Sequence, residues 1–344
     1  MNDGNIEVYS NRRNKTFDFL KLYAMLSVVL DHALQHMLGE STQSTQLYNW
    51  IFLSQMPIFM FVSGYFALRG IEKKASIKEF GKMIKKIVVS LFFPFLSYSI
   101  VVSLITRKNI VFYSIVDPQK SLWFLWALMW MQLIMLMAQE IAKLLIKGKV
   151  IRIVLSIMMY IIGLIPICLL FFWDPSIFDT KLILFYSVFF LFGYFYSFLE
   201  GIWKFLKSEI WKAVCIPILL IIVIFVMVKH PTIIYEDETI VNLLYRFIGS
   251  FSAVLLMLYL STFIAVQRIS KYGMLSLEMY YTHLLLIRIP FFNVEGIGIV
   301  LFVLKYMILI GCSLFVIILL KKWWITDLFL YGKLPTGKNK NSSC

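Results

Sequence analysis

The sequence predicts an all-α protein, a polytopic transmembrane helical bundle of about ten spans with both termini in the cytoplasm. Hydrophobic residues make up 60% of the 344 and charged residues only 15%. The mean hydropathy is +0.83, a balance outside that of soluble domains. Apolar runs of about 20 residues, the length a helix needs to cross hydrocarbon, recur along the chain. Lys and Arg gather in alternate connecting segments, the pattern that keeps positive loops inside.

In chain order, 1–16 is a basic cytoplasmic segment, and Met1–Lys15 lacks the apolar stretch of a signal peptide. Spans are expected at 17–38, 48–68, 84–105, 121–140, 150–173, 181–199, 212–228, 241–266, 272–290 and 297–320, together the membrane domain 17–320. A basic cytoplasmic tail, 321–344, follows. Segments 69–83, 141–149, 200–211 and 267–271 are basic and expected inside, whereas 229–240, with its acidic YEDE, is expected outside. The net charge of +14 therefore reads as topology signals spread over short loops, and nucleic acid is not an expected partner. The four cysteines form no disulfide framework.

The first span, FDFLKLYAMLSVVLDHALQHM, carries Asp18, Lys21, Asp31, His32 and His36. Ionisable groups in hydrocarbon are costly and need a partner or a task. Lys21 and His32 are eleven positions apart, close to three helical turns, so they share a face. Asp18 lies one turn before Lys21 on that face and His36 one turn after His32. The stripe ends on a histidine roughly 16 Å deeper than Lys21. Either neighbouring helices satisfy this stripe or it carries chemistry. His32 and His36 share an i, i+4 spacing without the Glu of the zinc-peptidase pattern, so no metal is expected.

Further polar residues fall in the later spans. Arg246, Glu278, His283 and Arg288 precede Lys305, for which Asp31 is a partner matched in depth alone. Glu278 is roughly 140° off the His283 face and is not paired with it. Ser63, Gly64 and Tyr65 read as a site of close helix packing, Trp123 and Trp126 as interfacial anchors, and His230 as a solvated loop residue.

Four stretches in order, DFLKLYAMLSVVLDH, QMPIFMFVSGYF, SLWFLWALMWMQL and YGMLSLEMYYTHLLL, resemble the acyltransferase 3 family of integral-membrane O-acyltransferases, within it the fucose 4-O-acetylase-like and polysaccharide O-acetyltransferase group. The resemblance spans about 12–290. Departures are Lys21 where the family usually has Arg, Gln55 where a His often precedes Met-Pro, and Ser90 in place of a common Arg.

The resemblance implies transfer of an acetyl group from acetyl-CoA to a sugar hydroxyl of a cell-surface or exported polysaccharide or its lipid-linked precursor. It implies a bacterial cell membrane, with polysaccharide-assembly proteins as further partners. His32 is then the general base, for an unperturbed histidine titrates near working pH. Lys21, Lys85 and Lys86 are the residues for the CoA phosphates; Asp18 could instead pair with Lys21 within the helix. Asp18, Asp31 and His283 are the remaining pocket residues. P-loop, dinucleotide and serine-elbow motifs are absent from the sequence. A transporter or flippase for a sugar or lipid-linked glycan is the alternative of another class.

Overall fold

The computed structural model describes residues 14–39, 45–67, 77–107, 109–116, 121–174, 177–199, 208–229, 240–264, 271–294 and 296–333. The N-terminal segment before Asn14, the first part of the basic 69–83 loop, His230 and the end of the tail lie outside them. Among the described residues the chain is helical and has no strand.

The helices are α1 (Lys15–Leu38), α2 (Gln46–Ala67), α3 (Ile77–Thr106), α4 (Trp123–Leu145), α5 (Lys149–Gly163), α6 (Ile165–Trp173) and α7 (Thr180–Phe198). They continue as α8 (Glu209–Lys229), α9 (Ile240–Ile264), α10 (Ser276–Leu286), α11 (Ile299–Leu320) and α12 (Trp324–Tyr331). Among the described residues, eight segments are long and apolar enough to cross a membrane: α2, α3, α4, α5 with α6, α7, α8, α9 and α11. Helix α1 is long enough at 24 residues, but its charged stripe keeps it from matching a purely apolar span.

Burial sorts the helices into layers. The apolar windows of α2 and α4 are 67% and 61% buried inside the protein, those of α8 and α11 only 11% and 22%. Inner helices are thus shielded by outer ones that turn bare aliphatic side chains outward, as lipid contact requires. Helix α2 packs on α1, α4, α7, α8 and α9, and α1 lies among α2, α9, α10 and α11. The α2–α7 seam is close because Gly64 and Gly193 face the partner backbone. A Cβ on Gly64 would lie 1.8 Å from the Phe190 carbonyl oxygen, and one on Gly193 1.8 Å from that of Phe61. Backbone-on-backbone contact of this kind replaces the hydrophobic driving force that lipid removes. Gly64 thus has the packing role expected of it.

The stretch expected to be the ninth span, 272–290, has another form. A 3-10 turn at Lys271–Leu275 precedes α10, whose 11 residues reach about 16 Å, half of a bilayer core. Turns follow through Phe292. Hydropathy alone cannot separate such a protein-enclosed half-helix from a lipid-facing span. Glu278, Thr282 and His283 of α10 are buried at 0–2% exposure, so α10 is tolerated only because other helices enclose it.

Residues beyond 320 do not begin as a free tail. Tyr331 of α12 is fully buried and its hydroxyl is 3.1 Å from that of Thr282, while Phe329 stacks on Phe93 of α3. Glu278, itself buried, receives Lys321 at 3.2 Å and also Lys333. The docked C-terminal helix and α10 are therefore joined by one carboxylate and two ammonium groups. Burial lowers the Lys333 pKa, but the hydrogen bond and charge of Glu278 outweigh it and leave the group above its ordinary value.

Two outcomes follow for detergent-purified protein followed by thermal melting. Gly64→Ala should lower the midpoint or abolish the folded protein, since overpacking costs about 1–3 kcal/mol even where side chains alone must give way. Gly81→Ala is the control: nothing lies within 4 Å of the added methyl, and Ala favours the helix by about 1 kcal/mol. Lys333→Met should lower the midpoint as well. Because the Lys333 pKa is raised on folding, its contribution is complete below the ordinary lysine value of 10.5 and fades only above it. The Lys333→Met deficit should therefore stay constant from neutral pH to pH 9 and shrink in strong alkali.

Candidate active site between α1 and α10

The site is built on two helices running in the same direction. The turn before α10 lies directly on the start of α1, where a Cβ on Gly273 would stand 2.0 Å from the Asp18 carbonyl oxygen. No residue but glycine permits that approach. From there the two helices stay in step. Lys21 of α1 shares a cavity wall with Ser276, Leu277 and Tyr280 of α10. Deeper in, the rings of His32 and His283 stand 5.5 Å apart between centroids, at 38°. Beyond them His36 Nδ1 donates to Asn293 Oδ1 at 3.0 Å. The spacing of Gly273, Ser276, Leu277, Tyr280 and His283 thus has a physical reading: the glycine sets the approach and the rest follow along one side of the helix.

His283 is fully buried, and its Nδ1 is 2.7 Å from the Met279 carbonyl oxygen one turn back. His32 is half-buried. Beside it, Asp31 is buried and engaged on both oxygens: Gln35 Nε2 donates to Oδ1 at 2.9 Å and Gln55 Nε2 to Oδ2 at 2.8 Å. Lys305, for which depth suggested Asp31, instead donates to the Phe291 carbonyl at 2.6 Å and lies over the Phe291 ring. Matching depth did not mean matching azimuth. Arg288 is exposed at the same end and donates from Nε to the Tyr98 hydroxyl at 3.4 Å.

Two cavities lie along α1 and α10 on the Lys21 side of this pair, and neither histidine borders them. The inner one, about 120 Å³, is bounded by Lys21, Ser63, Ser276 and Tyr280 and otherwise by apolar side chains, among them Met56, Phe59 and Phe124. The outer one, about 320 Å³, is bounded by Ser63, Phe66, Lys86, Ser90, Gln132 and Gln139. Ser63 borders both, and the Lys21 ammonium sits 4.7 Å above the Phe66 ring that walls the outer one. The Tyr280 ring lies 6.0 Å from that of His283. A line therefore runs from Lys86 past Ser63, Lys21 and Tyr280 to the histidines.

Of the residues singled out from sequence, Lys21, His32 and His283 come together along this line, and Lys86 stands at its far end. Lys85 is exposed and borders neither cavity. Asp18 is buried at the level of the Gly273 contact, and Asp31 backs His32 with each oxygen accepting from a glutamine amide. Trp126 is not an interfacial anchor: it is buried, stacked between Phe95 and Phe178, and donates to the Phe178 carbonyl. Among the described residues no three His, Cys, Asp or Glu converge as a metal site would need. Ser63, Tyr280, Gln35 and Gln55 escaped the reading of sequence as site residues. Ser63 and Tyr280 both lie inside the quoted motifs, which could have flagged them.

The chain was compared with known proteins. No solved structure matches significantly. Nodulation protein NolL of Sinorhizobium fredii is 29% identical over 140 residues, 37% of this chain and 37% of that protein. Nodulation protein NolL of Mesorhizobium japonicum is 25% identical over 132 residues, 36% of this chain and 35% of that protein. The matched stretch thus spans little more than a third of either relative. The family model described as "Acyltransferase domain" matches residues 14–322, nearly the whole chain and every element of the site. With polar α1 and half-helix α10 enclosed in a bundle of lipid-facing helices, this chain belongs to the acyltransferase 3 family of membrane proteins.

Proposed function

We propose that the protein transfers an acetyl group from acetyl-CoA to a hydroxyl of a polysaccharide sugar or of its lipid-linked precursor, with His32 as general base. The observation that carries this reading is the His32–His283 pair one ring beyond Tyr280, which borders a cavity holding Lys21, with Lys86 on the wall of the next. In this reading the basic side, with both termini, faces the cytoplasm of a bacterial cell and the CoA pool. Lys86 and Lys21 meet donor phosphate charge, and Lys85 adds to the positive field at the mouth without bordering the cavities. Lysine supplies point charge rather than the bidentate fork of arginine, which suits a flexible arm more than a rigid clamp.

The apolar walls around Ser63 and Tyr280 exclude bulk water from the path of the thioester. His32 is half-buried where the path ends, so an acceptor arriving from the far side meets its ring. It takes the hydroxyl proton as the oxygen attacks the acyl carbon. Arg288 and Asn293, at that end, are groups a hydroxyl-rich or anionic acceptor would meet. Asp18, beside the Gly273 contact, holds the start of α1 rather than touching substrate. Proteins of polysaccharide assembly are the partners this acceptor class implies.

The test is base-labile acetate on purified surface polysaccharide from cells with the intact gene, without it, and with His32→Ala at equal membrane level. Removing a general base costs about 10²–10⁴-fold, so acetate should vanish in the mutant as in the deletion. Unchanged acetate with altered polysaccharide export would instead mean transport. On the donor side, Lys86→Ala should weaken acetyl-CoA binding to purified protein by about 3- to 10-fold, roughly one charge-assisted contact. Lys85→Ala should weaken it less.

A further inference from the structure

His283 does more than wall the pocket. A carbonyl oxygen can only accept, so the 2.7 Å contact with Met279 places the ring proton on His283 Nδ1. Nε2 is then a bare lone pair. It is buried and has no hydrogen-bond partner in the protein, in a side chain with 0% exposure. Buried acceptors are seldom left so, and one that is deserves a role.

The neighbouring ring is His32. Two imidazoles joined end to end by an N–H···N bond have centroids about 5.3 Å apart, from a ~3.0 Å bond plus the ring radii. The observed separation is 5.5 Å: the rings stand near that spacing without the bond being closed, and a small rotation of the half-buried His32 ring brings its N–H onto His283 Nε2. His32 has no hydrogen bond of its own among the described residues. The carboxylate beside it accepts from Gln35 and Gln55, and no hydrogen bond joins it to His32 among the described residues.

We propose that His283 is a positioning residue for His32, its Nε2 accepting the His32 N–H and so fixing the tautomer that presents the other His32 nitrogen bare to the acceptor hydroxyl. The proposal rests on His32 being the base. Each group in the series has one role: the Met279 carbonyl accepts from His283, His283 accepts from His32, and His32 accepts from the hydroxyl. As the oxygen–carbon bond forms, the hydroxyl proton passes to the bare His32 nitrogen. When the carbon–sulfur bond breaks, the same proton goes to the thiolate, giving free thiol and ester and restoring both neutral rings.

The experiment uses full-length protein in lipid nanodiscs with ¹⁵N-labelled histidine; with four histidines in the chain, single substitutions assign every signal. Wild-type His32 should show one tautomer, with one protonated and one bare nitrogen. His283→Asn reaches the Nδ1 position but offers no acceptor at Nε2, so His32 should become a mixture of tautomers. Polysaccharide acetate should then fall about 10- to 100-fold, the range for an outer-shell orienting group, with acetyl-CoA binding unchanged. His283→Gln, whose Oε1 reaches the Nε2 position, should restore the single tautomer and most of the acetate. A wild-type His32 that already interconverts between tautomers would overturn the proposal without recourse to any variant. So would a folded His283→Asn protein whose His32 signals match wild type. Full acetate in His32→Ala would defeat the base assignment separately, leaving the tautomer result to stand on its own.

Discussion

Helix α1 sets the terms for the rest of the molecule. A helix with Asp18, Lys21, Asp31, His32 and His36 on or beside one stripe cannot face hydrocarbon, where each unpaired charge costs several kcal/mol. It must be wrapped, and α2, α9, α10 and α11 wrap it. The wrapping explains the odd shape of α10. A half-length helix is untenable against lipid, but beside α1 its polar residues meet protein. Gly273 decides whether this arrangement forms, since it brings the turn before α10 against the α1 backbone.

The packing elsewhere serves the same geometry. The α2–α7 seam is locked by Gly64 and Gly193, one residue from Ser63, which borders both cavities. Rigid backbone contact there keeps the passage from collapsing, as a seam of long flexible side chains would not. At the other side, Glu278 follows Leu277 of the inner cavity wall and is held by Lys321 and Lys333. The C-terminal helix thus bears on the wall of the inner cavity through this charge cluster.

Much of this was legible in the chain. Long apolar runs bounded by basic loops dictate a helical membrane bundle, and the Lys21–His32 spacing dictates a shared face whatever the neighbours are. Gly64 could be read as a packing residue because small residues between bulky aromatics have few other uses in a membrane. What escaped depended on direction around a helix axis or on contacts distant in sequence. Hydropathy gave 272–290 a full span because protein-enclosed and lipid-facing residues are equally apolar there. Depth paired Lys305 with Asp31, but the lysine points to the Phe291 carbonyl. The eight residues of α12 are too few to stand out by periodicity, and its docking through Tyr331 and Lys333 is tertiary.

The amide pair on Asp31 bears on the chemistry most directly. In many hydrolytic sites a carboxylate orients the histidine and stabilises its cation. Here the adjacent carboxylate accepts from Gln35 and Gln55 and not from His32, and Gln55 stands where the resemblance leads one to look for another histidine. An amide donor neutralises part of the Asp31 charge without adding a titratable group to the cluster. An acceptor without a partner of its own near His32 is His283 Nε2, on a ring whose proton sits on Nδ1. A neutral partner fixes orientation without raising basicity as a carboxylate does. That arrangement suits the role proposed for His32, a base that would take a proton from a hydroxyl and then give it up readily to a departing thiolate.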